Sequence, residues 1–130
     1  MSYCTQDDVE LRYGENNIAL WGNVDNLTGA SATAAIAARV TAGIAAVDDD
    51  FDDVFRLCNY RVPLATEAAA VPASVGDKAA WAVGVWLYES RGAQDTDSNG
   101  NAMHRLVWIK KNILRWLEEV RTGKRKLNAV

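Results

Sequence analysis

The chain has 130 residues, of which 49% are hydrophobic and 24% charged. That suits one ordinary core, is too short for two, and excludes wholesale disorder. Fourteen Lys and Arg against 17 Asp and Glu leave a formal charge of −3, which argues against a surface that grips nucleic acid all round.

The pattern reads as helices joined by turns. Thr5 with Asp8 three residues on resembles a capping box, so a short helix is expected from Gln6 to Tyr13, ending at Gly14. Asn16 or Asn17 is expected to cap a further turn holding Ile18, Leu20 and Trp21, and the turn formers of 22–31 read as a loop. A long helix then opens at Ser31 or Thr33 and runs to about Asn59. Its apolar positions Ile36, Val40, Ile44, Val47, Phe51, Val54, Phe55 and Cys58 fall within an arc of about 100°. The rod is roughly 40 Å long at about 1.5 Å per residue. The acidic run Asp48–Asp53 is broken by Phe51, which points inward. Pro63 is expected to enforce the stop, because the residue before a proline avoids the α region.

After a linker at 67–71, Pro72 suits a first helical turn, and the next helix is expected from Ala73 to Arg91 with Gly92 after it. It carries Trp81, Val83, Val85, Trp86, Leu87 and Tyr88 on every side, the mark of an enclosed helix. A polar loop at 95–101 leads to the last helix, from Ala102 to Thr122, stopped by Gly123. Leu106, Ile109, Ile113, Trp116, Leu117 and Val120 form its inner stripe, while Trp108 falls outside, among Lys111, Arg115 and Glu119. No useful strand pattern appears. The expected class is all-α: a small bundle of about four helices with a long second one, spanning 1–123, and a basic C-terminal arm at 124–130. Phe51, Phe55, Trp86, Ile113 and Leu117 are its expected buried core.

The search for chemistry returns little. His104 is the lone histidine and has no nucleophile elbow near it, and no glycine-rich phosphate cradle occurs. No enzyme, cofactor or metal site is therefore expected. Asp95-Thr96-Asp97-Ser98-Asn99-Gly100 matches the first half of a calcium loop, but Met103 and Leu106 stand where its later ligands belong. It reads as a turn and helix cap, or as an incomplete cation site. Cys4 and Cys58 could pair only once and read as reduced thiols. No basic-then-apolar leader opens the chain, and no uninterrupted apolar run approaches the roughly 20 residues of a membrane span.

Charge is uneven. Residues 1–100 hold 6 basic and 15 acidic side chains, and residues 101–130 hold 8 basic and 2 acidic. An acidic body with a basic end can meet two partners or copies of itself head to side, or the cations can simply face solvent on the last helix. The split predicts a contact between copies, with Asp49, Asp52 and Asp53 of one near Lys111 or Arg115 of another. Trp108 is an interface candidate because exposed tryptophan favours buried interface centres; the alternative is cover by a loop of the same chain. Arg121, Lys124, Arg125 and Lys126 form the one dense basic patch, read as a contact to phosphates, a contact to an acidic protein, or a solubilising tail.

Several pieces together carry a family resemblance. Tyr3-x-Thr5-x-x-Asp8-x-x-x-Arg12-Tyr13-Gly14-Glu15, Asp53-x-Phe55 with Tyr60-x-x-Pro63-Leu64, Val71-Pro72 with Leu87-Tyr88 and Arg91, and Trp116-Leu117 with Gly123 and Leu127 resemble, in order and spacing, the small head–tail joining proteins of Mu-like tailed phages and prophages. The resemblance implies a non-enzymatic virion protein, made in the host cytoplasm and placed at the head–tail interface. Such adaptors form a ring, usually of twelve subunits, beneath the portal. The ring extends the channel for passing DNA without sequence specificity and receives tail-completion or stopper proteins. Lys124, Arg125 and Lys126, with Leu127 and Val130 as apolar anchors, would then form an arm that leaves the bundle to dock on the portal protein. The competing reading is a small helical DNA-binding or regulatory protein that sets its last helix and basic tail on phosphates.

Overall fold

The computed structural model describes residues 2–66, 70–91, 104–127 and 129, and the class is all-α. The N-terminal capping box forms as expected. The Thr5 hydroxyl accepts from the Asp8 amide, and the Asp8 carboxylate accepts from the Thr5 amide. Helix α1 (Gln6–Tyr13) follows and stops at Gly14, whose φ of 90° lies where a side chain would be strained.

The expected turn after Gly14 is a full helix, α2 (Glu15–Gly22). Gly14 itself stands at its N-cap, and the Gly14 carbonyl receives Ile18 N–H; neither Asn16 nor Asn17 caps it. The Asn17 amide instead donates to the Tyr13 carbonyl. The following loop is shorter than expected, because the Asn23 side chain closes it on both Leu27 N–H and Leu27 C=O. Arg91, distant in sequence but adjacent in space, donates to the carbonyls of Leu20 and Asn23, so the orphan acceptors at the end of α2 are met by a guanidinium.

Helix α3 (Gly29–Leu57) therefore starts ahead of Ser31. It ends before Asn59 for a reason other than Pro63. Asn59 adopts φ 66°, Tyr60 N–H bonds back to Phe55 C=O and Asn59 N–H to Arg56 C=O, a left-handed termination with asparagine in the place glycine usually takes. By length and composition alone α3 could cross a membrane, with a window of mean hydropathy 1.5. Counting uninterrupted apolar runs passes over this, because alanine, scattered among Ser, Thr and Gly, supplies much of the average. Its large apolar residues Val40, Val47, Phe51 and Phe55 pack inside the bundle.

Helix α4 (Ala73–Ser90) packs against each of α1, α2, α3 and α5 (His104–Arg121), which explains why its sequence is apolar all round. Val75, Ala79, Ala80, Val83 and Leu87 are fully buried along it. Small residues let neighbours come close: a methyl added at Gly84 would overlap the Tyr13 ring, and one at Gly43 would lie 2.8 Å from Trp86.

Two aromatic clusters lock the layers. Tyr13 stands edge-on to Trp21 at 5.3 Å and to Trp81 at 5.0 Å, joining α1, α2 and α4. Tyr3, Phe51, Phe55 and Trp116 form the second, joining the N-terminus to α3 and α5. Of the expected core, Phe51, Phe55 and Ile113 are buried, whereas Trp86 and Leu117 are half-buried. Trp86 is covered on one face by Arg39, whose guanidinium sits 5.0 Å from the ring centroid. Leu117 sits at the rim of a trough between helices.

Candidate interaction surfaces

Helix α5 has a sharply divided surface. Ile109, Ile113, Trp116 and Val120 face the core, while Trp108, Lys111 and Arg115 are exposed on the other side. Trp108 is 66% exposed, so no described residue of its own chain covers it. Beside it runs a groove of about 340 Å³ between α4 and α5, lined by Lys78, Trp81, Arg105, Trp108 and Asn112 over a floor of Ile109 and Ile113. Arg115 donates to Asn112 Oδ1 at 2.8 Å. Lys78, Arg105, Lys111 and Arg115 form no salt bridge among the described residues, so this face keeps its positive charge. Below Arg115 the charge is cancelled locally, by Arg121 on Glu118 and Arg125 on Glu119. The hydrogen bond from Arg121 holds the Glu118 carboxyl below its usual range.

A second, smaller trough of about 170 Å³ lies on the opposite flank of α5, bounded by Asp50, Phe51, Trp86, Leu114 and Leu117. Lys110 and Glu89 pair across its edge at 2.7 Å.

The acidic face of α3 is only partly what the charge pattern implies. Asp49 and Asp53 are exposed, and Asp53 meets Arg56 one turn on at 3.1 Å. Asp52 does not belong with them as a free charge: it accepts the hydroxyl hydrogen of Tyr3. Tyr3 is 3% exposed, its backbone N–H donates to Asp48, and its hydroxyl accepts the Leu64 amide. Asp48 and Asp52 thus fasten the N-terminus, and burial pushes the Asp48 carboxyl above its usual range. This role was invisible in the sequence, because position 3 precedes any periodic segment. Leu57, 72% exposed at the end of α3, was also missed as a surface residue. Its angular place could have found it, since it lies outside the apolar arc.

The segment after Gly123 turns back. The expected departure of an arm at this point does not occur, because backbone and side chains find partners at once. Arg125 N–H donates to Glu119 C=O and the Arg125 guanidinium to the Glu119 carboxylate, while Leu127 N–H donates to the Tyr60 hydroxyl. Leu127 and Ala129 pack on the core, and Lys124 and Lys126 remain exposed. Val130, the 95–101 run and the side chain of His104 lie outside the described residues.

Among the described residues no group of three His, Cys, Asp or Glu is placed to hold a metal ion. Cys4 and Cys58 are free, and burial pushes the Cys4 thiol up to about 12, away from thiolate reactivity. No curated protein matches the chain. The model of the family described as Bacteriophage Mu, Gp36 matches it over residues 3–130, so the chain belongs to that family and is a Mu-like phage protein.

Proposed function

We propose that this protein is a non-enzymatic structural component of the virion. In this reading it is an adaptor that forms a ring between the portal of the filled head and the tail-completion proteins, and the ring extends the channel through which DNA passes. The observation that carries the reading is the family match over nearly the whole chain. The surfaces are consistent with it. A ring repeats one heterologous contact, in which two different patches of each copy meet, and the molecule offers an acidic patch on α3 and a cationic, tryptophan-bearing one on α5. The exposed Lys124 and Lys126, beside the seated Leu127, are the candidate contact to the portal.

Phage lysates that lack the protein provide the test. They should accumulate DNA-filled heads and free tails, and adding the purified chain should join the two into infectious particles. Lys124→Glu with Lys126→Glu should leave a folded chain that joins them poorly. Normal particles from a lysate without the protein would refute the adaptor reading.

A further inference from the structure

We infer that the outer face of α5 in one copy packs antiparallel against the outer face of α3 in the next, with Lys111 beside Asp53 and Arg115 beside Asp49. The inference rests on the ring reading and names the contact that builds it. Each helix presents one face on which no other helix packs among the described residues, and there Asp53 is paired only with Arg56 of its own turn, both side chains exposed. On α5 that face holds Trp108, Lys111 and Arg115, and on α3 it holds Ala38, Ala42, Ala45, Asp49 and Asp53, all exposed. The small side chain of Ala45, with Ala42 at the end of the overlap, leaves room for a second helix to lie at the close end of the usual interhelical range.

Charge complementarity selects the occupant. Neither Lys111 nor Arg115 has a carboxylate partner among the described residues, and the acidic body of the same chain supplies exposed carboxylates at matching spacing. Lys111 and Arg115 are four residues apart, as are Asp49 and Asp53, so on both helices the pair occupies one face a turn apart.

Direction follows from the neighbouring residues. A parallel pairing that set Arg115 on Asp49 would carry Glu118 and Glu119 onto Asp52 and Asp53, like charge on like. The antiparallel pairing sets Glu118 and Glu119 over Ala45 and Ala46 and brings Trp108 to Arg56 and Leu57. Trp108 at 66% and Leu57 at 72% are both strongly exposed, and both fall on the same flank of the paired helices, so the contact covers the two together. Asp52 takes no part, because Tyr3 already holds it.

The experiment mixes 14N- and 15N-labelled full chain at high concentration and low salt. It follows self-association by sedimentation velocity and joins touching amine–carboxylate pairs with a carbodiimide. Mixed-isotope peptides linking Lys111 to Asp53 are expected. Lys111→Glu should raise the dissociation constant roughly five- to tenfold without changing the thermal melt, and Lys111→Glu combined with Asp53→Lys should restore it. Self-association with mixed-isotope links only elsewhere would overturn this interface and leave the adaptor reading standing. A chain that stays monomeric under these conditions would also overturn it, while the head-joining assay decides the adaptor reading separately.

Discussion

Trp108 and Trp116 lie on one helix about two turns apart, and their surroundings are opposite. Trp116 is 3% exposed, with its ring 6.0 Å from Phe51 and 6.4 Å from Phe55. Trp108 stands 66% exposed beside Lys111 and a cation-lined groove. Eight residues advance a helix by only about 80° beyond two full turns, which suffices to carry the same side chain out of the core stripe. A tryptophan buries about 150–250 Å² when enclosed. Trp116 gives that area to the fold, and Trp108 leaves most of it exposed, where the proposed contact between copies would cover it.

The contrast can be broken or sharpened in order of expected effect. Trp116→Ala should cost about 3–5 kcal/mol, the range for removing a large aromatic from a core, read by denaturant unfolding. A loss below about 1 kcal/mol would mean that the second aromatic cluster is not a folding unit. Gly84→Ala should cost about 1–3 kcal/mol, because the new methyl displaces the Tyr13 ring and with it the bond from the Tyr13 hydroxyl to Trp81 C=O at 2.6 Å. If its melt matches that of the parent, α1 is not held by close approach.

A smaller effect belongs to the buried side of α3. Burial raises the Asp48 carboxyl above its unfolded value, so between those two values the folded state binds more protons than the unfolded one. Stability therefore falls as pH rises through that interval and gains as pH drops through it. Asp48→Asn should remove that part of the slope while still accepting from Tyr3 N–H, which melts across the acidic range would reveal; an unchanged slope would count against it. Smallest of all, Trp108→Ala should leave monomer stability within about 0.5 kcal/mol. A large loss there would show that the residue serves the fold after all.

Much of the fold was legible because periodicity survives packing. The stripe Val40, Val47, Phe51 and Phe55 on α3 and the stripe Ile109, Ile113, Trp116 and Val120 on α5 are buried where their spacing places them. The capping box at Thr5 was readable because both partners lie within one turn. Contacts distant in sequence were not. Arg91 bonding to carbonyls some 70 positions away, Tyr3 held by Asp48 and Asp52, and Leu127 seated on Tyr60 leave no local spacing to read. The surfaces were half legible for the same reason. Trp108, Lys111 and Arg115 declared themselves by falling outside a stripe. Asp52 fell outside one too, yet a tyrosine from the far end of the chain claims it.

The seat of Tyr3 also reaches beyond the N-terminus. Its hydroxyl accepts the amide hydrogen of Leu64, a residue in no helix and with no exposed surface. Loop amides ordinarily trade their hydrogens with solvent quickly, yet this one is buried and bonded to Tyr3, so detachment of the N-terminus exposes it to exchange. The Leu64 amide is therefore a built-in reporter: its exchange rate sets an upper limit on how often the first residues detach from α3, in the free chain and in any assembly that grips them.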